Sequence, residues 1–362
     1  MRPLRHGTGR WAEFRSSHGP QVIPPVEDRL SELIGFGTNP GNLRARMYLP
    51  KGLRAGAPLV VVLHGCTQTA ADYDHGSGWS HLADHEGFVL LFPEQQRSNN
   101  PNLCFNWFVP AHSRRGAGEP LSIREMIERL AVEHSLDRRR IFITGLSAGG
   151  AMTSVMLATY PEVFSGGAII AGLPYGCATT MSEAFDLMRG RKRPAASDLP
   201  DLVQKASSHP EPWPKISIWH GSADQTVVPA NSEAILRQWL GIHGLGETPT
   251  STDTVAGYPR RVWCDSKGGE LIEAYSIIGM GHGTPVSTSD GLGCGNSGAH
   301  MLDVNISSTR HIARFWGLTT PTARHLDAEQ SDGAAAHPSS PRAMAGIQKT
   351  ISDALRAAGL LR

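Results

Sequence analysis

The sequence predicts an α/β fold: a mostly parallel central sheet with helices on both faces and a small loop-rich cap. Three observations carry that expectation. First, Pro58-Leu59-Val60-Val61-Val62-Leu63 and Phe88 to Phe92 are short unbroken apolar runs, the pattern of strands buried on both faces. Second, such runs alternate with segments whose apolar residues recur at helical spacing, the order expected of a parallel sheet with helical crossovers. Third, 40 glycines and 25 prolines among 362 residues exceed ordinary usage and imply many tight turns and long ordered loops.

Taken in order, residues 1–28 are rich in Arg, Gly, Pro and Ser, show no period, and read as an irregular lead-in. The turn signal Asn39-Pro40-Gly41 precedes a first strand over Leu43 to Leu49, and Pro58 to Leu63 follows as a buried strand. A helix over Ser80 to Glu86 leads into a strand over Phe88 to Phe92, then a long Asn/Pro/Arg-rich loop from Glu94 to Glu119. Leu121, Ile123, Ile127, Leu130 and Ala131 keep helical spacing as far as about His134. A strand over Arg140 to Thr144 runs through a glycine-flanked turn into a small-residue helix, Ala148 to Thr159. Then come a strand at Ala168 to Ala171, an irregular excursion from Pro174 to Pro214 that reads as a cap, and a strand at Ile216 to Trp219. A helix over Ser232 to Leu240, strands near Thr254 and over Leu271 to Ile277, and a helix around Ile306 to Trp316 close a catalytic domain of residues 29–318. Residues 319–342 are Thr/Pro/Ala/Ser-rich and read as a flexible linker. Met344, Ile347, Ile351, Leu355 and Ala358 then predict an amphipathic helix over 343–362.

Composition removes several function classes. Lys and Arg number 34 against 33 Asp and Glu, a net charge of +1, so no strong field favours nucleic acid or an anionic membrane. The cluster Arg189-Gly190-Arg191-Lys192-Arg193 reads as a solvated loop rather than a nucleic-acid patch. The longest apolar stretches, Ala57 to Leu63 and Phe88 to Pro93, fall far short of the ~20 residues that cross a bilayer. Met1 to Gly7 is followed by no apolar core of a secretory signal peptide. Five cysteines, none spaced as CxxC, fit two disulfides and one thiol or five thiols equally. No His/Cys/Asp cluster has metal-ligand spacing, so neither metal nor cofactor is expected.

Gly145-Leu146-Ser147-Ala148-Gly149 matches G-x-S-x-G between a predicted strand and a predicted helix, the setting of a nucleophile elbow. Such a turn strains the serine backbone and needs neighbours without Cβ so that strand and helix approach closely. The helix N-terminus then aims partial positive charge at a developing oxyanion. An elbow predicts an acid and a histidine on later strand-end loops, in that chain order. Asp224 follows the strand ending at Trp219, and His282, flanked by Gly281 and Gly283, follows the strand ending near Ile278. Asp265, Asp290 and Asp303 are fallback acids with poorer placement. The oxyanion donors expected are the backbone amides of Ala148 and Cys66, with Gly65 in reserve and His64 bonding within its own loop. Trp107, Tyr175 and Trp213 lie in predicted upper loops as candidates for an apolar wall against an acyl or aromatic group, or else for packing under the cap. Cys264 and Cys294 bracket the His282 loop, where a disulfide would rigidify it, although spacing alone says nothing of distance.

The segments Leu63 to Gln68, Phe92 to Phe108 with its Cys104-Phe105-Asn106-Trp107-Phe108 core, Gly145 to Ala178 and Trp219 to Pro229 carry a resemblance. Over about residues 30–317 the chain resembles the poly(3-hydroxybutyrate) depolymerase esterase family, related to feruloyl and acetylxylan esterases. The resemblance implies an α/β-hydrolase fold, carboxylic-ester hydrolysis and a triad of Ser147, Asp224 and His282. It also implies an extracellular enzyme, with a cytoplasmic one as the alternative given the missing signal peptide. Polymer-degrading members carry a separate adsorbing domain, whereas 80 residues follow His282 here, so oligomers or small esters are the expected substrates. A feruloyl or acetylxylan esterase is the alternative. An acyltransferase would use the same triad, and a non-catalytic binding protein would need a damaged triad or oxyanion loop.

Overall fold

The computed structural model describes residues 28–191, 195–289 and 294–319. The C-terminal helix, nearly all of the lead-in and linker, Asp290, and the end of the basic cluster lie outside the described residues. The chain runs through strands β1 (Ser31–Glu32), β2 (Arg44–Tyr48) and β3 (Leu59–Leu63), helices α1 (Ala70–Ser77) and α2 (Trp79–Glu86), then β4 (Val89–Glu94), α3 (Gly118–Glu133), β5 (Ile141–Leu146) and α4 (Ala148–Thr159). It continues through β6 (Gly166–Ile170), α5 (Met181–Met188), α6 (Leu199–Gln204), β7 (Lys215–Gly221) and α7 (Ala230–Ile242). Last come β8 (Ser251–Val255), β9 (Tyr258–Cys264), β10 (Glu270–Ile277), β11 (Thr284–Val286), β12 (Met301–Asp303) and α8 (Ser308–Phe315).

Ten strands form one sheet in the order β1-β2-β4-β3-β5-β6-β7-β10-β9-β8. The six central strands, β4 to β10 in that order, pair in parallel. Both margins are antiparallel: β1 and β2 at one edge, β9 and β8 at the other. The all-apolar β3 explains its own position. Leu59, Val61 and Leu63 enter the core under α3, α4 and α7, while Val60 and Val62 enter the second core under α1, α2 and α8. With both faces covered, each of these side chains is fully buried, a stabilisation of roughly 1.5–3 kcal/mol apiece. The excursion after β6 supplies α5 and α6, whose Ala184, Leu187, Leu199 and Val203 join the first core.

Strands β1, β9, β11 and β12 and helices α1, α5 and α6 are absent from the sequence reading, which took residues 174–214 as irregular, and for α1 and β9 the reason is identifiable. Helix α1 has no amphipathic period, but Thr69 and Asp72 close a capping box at its start. Strand β9 carries Pro259 and two arginines that hide its alternation. It is defined by a tight turn after β8, where Ala256 and Gly257 both take positive φ, of 48° and 83°.

Candidate active site

Three strands deliver three side chains to one edge of the sheet. Ser147 stands directly after β5, Asp224 three residues after β7, and His282 five residues after β10, all at the C-terminal ends of parallel strands. Ser147 sits at φ 58°, ψ −117°, a backbone region that L-residues rarely occupy. Its amide donates to the Ile170 carbonyl at 2.9 Å and its carbonyl accepts from Ala151 at 2.8 Å, which pins the turn between β6 and α4. Gly149 is obligatory here, because a Cβ on it would lie 2.4 Å from the Leu63 carbonyl oxygen and 2.5 Å from that of His64. That same approach sets the end of β3 against the start of α4. Gly221 does the equivalent for the other two loops: its Cβ would lie 2.3 Å from the Met280 carbonyl oxygen.

The side chains meet. His282 Nε2 is 2.8 Å from Ser147 Oγ, and His282 Nδ1 is 2.7 Å from Asp224 Oδ2, across 135 and 58 residues of chain respectively. A carboxylate accepts only, so Nδ1 carries the proton and Nε2 is free to accept from the serine hydroxyl. Asp224 is fully shielded, and its Oδ1 accepts from the amides of Thr226 and Val227, both at 2.9 Å. Burial works against the charge on Asp224, but the neighbouring His220 and His282 outweigh it and hold the carboxyl well below the usual range. The two fallback acids among the described residues, Asp265 and Asp303, are elsewhere. Asp265 caps the Lys267 and Gly269 amides in an exposed turn, and Asp303 bonds the Thr288 hydroxyl.

The Cys66 loop packs beside the start of α4. Among the described residues the amides of Cys66 and Ala148 have no backbone or side-chain acceptor, whereas the Gly65 amide donates to Gln68 Oε1 at 2.9 Å. The reserve donor is therefore occupied. His64 donates from Nδ1 to the Gly65 carbonyl at 2.7 Å and accepts from the Gln95 amide at Nε2, 3.1 Å, so it is a neutral strut within the loop. A disulfide from Cys66 to Cys104 ties this loop to the segment after β4. Beneath it lies Glu119, which accepts from Gln95 Nε2 (2.7 Å), Asn106 Nδ2 (2.7 Å) and the Asn106 amide (2.9 Å). Burial, opposed by those donors, pushes the Glu119 carboxyl up to about 7.

The proposed bridge between Cys264 and Cys294 does not form, since neither cysteine is in a disulfide. Cys264 pairs with Glu270 at the start of β10, the sheet edge away from His282, while the Cys294 thiol points at the Ser77 and Gly78 carbonyls. Trp213 is corrected for a similar reason. It precedes the N-terminal end of β7 and packs edge-on against Trp239, with ring centroids 6.4 Å apart, at the opposite sheet edge from Ser147. Trp107 and Tyr175 are on loops leaving the correct edge. Trp107 is buried to 8 % exposure against Phe108, and the Tyr175 hydroxyl donates to the Ser113 carbonyl at 3.2 Å. No signal in the sequence singled out Glu119 or the Cys66–Cys104 pair, because each depends on a contact between separate loops.

This arrangement can activate a hydroxyl for attack on an acyl carbon beside two unpaired amides. Known proteins agree. The family described as Esterase PHB depolymerase matches residues 43–260. The chain is 50% identical over 293 residues to poly(3-hydroxyalkanoate) depolymerase C of Paucimonas lemoignei, covering 80% of this chain and 70% of that one. It is 31% identical to an acetylxylan esterase of Coprinopsis cinerea, over 75% of this chain and 74% of that one. Its fold matches an acetyl xylan esterase from Aspergillus awamori with TM-score 0.68 at 24% identity, over 80% of this chain and 99% of that one. The chain thus belongs to the Esterase PHB depolymerase family, and it is a carboxylic-ester hydrolase with the α/β-hydrolase fold.

Proposed function

We propose that this protein hydrolyses 3-hydroxyalkanoate oligomers and small carboxylic esters through an acyl-serine at Ser147. The observation that carries the reading is the unbroken relay from Ser147 Oγ to His282 Nε2 at 2.8 Å and from His282 Nδ1 to Asp224 Oδ2 at 2.7 Å. In this reading His282 takes the hydroxyl proton as Ser147 attacks the ester carbonyl, and Asp224 stabilises the imidazolium that results. The Cys66 and Ala148 amides bind the tetrahedral oxyanion. His282 then returns the proton to the departing alcohol, and water repeats the cycle on the acyl-enzyme. Trp107 and Tyr175 are proposed to border the acyl chain.

The preference for 3-hydroxyalkanoate esters over acetylated sugars is supported by the 50% identity to the poly(3-hydroxyalkanoate) depolymerase C of Paucimonas lemoignei. A second reading, hydrolysis of acetyl groups on xylan, is favoured by the 31% identity to the Coprinopsis cinerea enzyme. A panel of 3-hydroxybutyrate oligomers, p-nitrophenyl esters and acetylated xylo-oligosaccharides separates them. We expect kcat/KM about tenfold or more higher for the oligomers than for acetylated sugars; the reverse order assigns the xylan reading. A competing alcohol in the same assay is expected to leave water as the main acceptor, and predominant transfer to the alcohol would mark an acyltransferase.

The Cys66–Cys104 disulfide supports an oxidising, extracellular setting. No described helix is long and apolar enough to cross a membrane. The bridge closes a loop of 38 residues, so Cys104→Ser is expected to cost roughly 4 kcal/mol of stability. In a domain of this size that is a fall of about 10 °C in Tm. Because the Cys66 amide is freed to move, kcat should fall at little change in KM, read by steady-state kinetics beside calorimetry.

A further inference from the structure

His220 is the penultimate residue of β7, 3 % exposed, and four positions before Asp224. Its Nε2 lies 2.7 Å from the Val227 carbonyl oxygen. A carbonyl only accepts, so Nε2 bears a proton and donates. The same Nε2 stands 3.4 Å from Asp224 Oδ2, the oxygen that accepts from His282. The turn from Asp224 to Val227 is thereby held from both directions: the Thr226 and Val227 amides grip Oδ1 of the carboxylate, and His220 grips the Val227 carbonyl. The other ring nitrogen, Nδ1, is buried with no hydrogen-bond partner among the described residues. A buried ring with one nitrogen unpaired is costly as a mere packing element, where an aliphatic side chain would leave nothing unsatisfied.

We infer that His220 is a positioning residue for the reaction: it fixes the Asp224 turn through the Val227 carbonyl and holds its polar Nε2–H edge 3.4 Å from the carboxylate oxygen that orients His282. The inference deepens the reading of Ser147, His282 and Asp224 given above and rests on it. Other ionisable groups border this corner. Glu233 and Arg261, paired at 2.6 Å, line a cavity of about 220 Å³ that His220 also borders. His300 has its ring centroid 6.0 Å from that of His282.

Removing the donor leaves the carboxylate less stabilised and more basic, so it holds the His282 proton more firmly. The acid limb of the kcat/KM profile should then move to higher pH. In His220→Leu, with rates normalised to active sites titrated by a serine-directed phosphonate, we expect kcat to fall about 10–100-fold at near-constant KM. The acid limb should rise by about half a pH unit or more. His220→Gln, whose amide reaches the position of Nε2, should recover most of the rate and the original limb. Should the Leu variant not fold, His220→Asn, too short to reach the Val227 carbonyl, takes its place with the same expectation. A donor-less variant within twofold of the parent overturns the inference. So does a loss fully explained by fewer titratable sites with an unmoved limb, or a folded Gln variant as impaired as the donor-less one. Ser147→Ala run in parallel separates the two levels: turnover persisting there refutes the Ser147 reading itself, whereas an inactive Ser147→Ala beside an unimpaired His220→Leu refutes only the role of His220.

Discussion

Replacing Ser147 with alanine is expected to lower kcat by on the order of 10⁶ while leaving the fold intact. The size follows from chemistry. Without Oγ no acyl-enzyme forms, and His282 has only water to activate, at a position built for a covalently attached nucleophile. The fold should survive because the one hydrogen bond of Oγ among the described residues is to His282 Nε2, and the strained turn is held by backbone bonds to Ile170 and Ala151 that alanine retains. Circular dichroism and Tm should match the parent, and a residual rate of roughly 10³–10⁴ over water is the most that the oxyanion amides and substrate binding would leave.

The second large effect is expected from Asp224→Asn, about 10⁴ in kcat. Here the direction is dictated by the amides of Thr226 and Val227, both 2.9 Å from Oδ1. Those donors demand an acceptor, so the asparagine oxygen takes the Oδ1 place and its NH₂ takes that of Oδ2. The NH₂ then donates to His282 Nδ1, which drives the imidazole proton to Nε2. An Nε2–H cannot accept from Ser147, so the nucleophile is present but unactivated. Stopped-flow acylation with an activated p-nitrophenyl ester is the suitable measurement, because the loss should lie in the burst itself. An equal loss from Asp265→Asn or Asp303→Asn, with Asp224→Asn near normal, would mean that the orienting acid had been misassigned.

What was legible in the sequence was whatever is written locally. The continuous apolar runs of β3 and β4 and the switch to small residues at Ala148 each lie in a few adjacent residues, and so do the glycine-flanked Ser147 and His282. Chain order then links the loops after β5, β7 and β10, since parallel strands present all their C-terminal ends at one edge. Features made by contact between distant segments were not legible. Cys66 finds Cys104 only because the loops after β3 and β4 stack on one another, and the spacing of Cys264 and Cys294 gave no hint that they lie apart. Trp213 misled for the same reason: a long excursion leaves from one edge of the sheet and re-enters at the other, and the residue count does not show where it turns back. The antiparallel margin at β9 was obscured by Pro259 and by Arg260 and Arg261, whose charges are met by Glu270, Glu273 and Glu233 rather than by solvent alone.

The most direct test is covalent trapping. Treating the protein with a p-nitrophenyl alkylphosphonate and mapping the adduct by peptide mass spectrometry should give one label per chain, on the peptide holding Ser147, with ester hydrolysis lost in proportion. His282→Ala should label orders of magnitude more slowly. Stoichiometric labelling at another residue, or full hydrolysis by protein already modified at Ser147, would contradict the account.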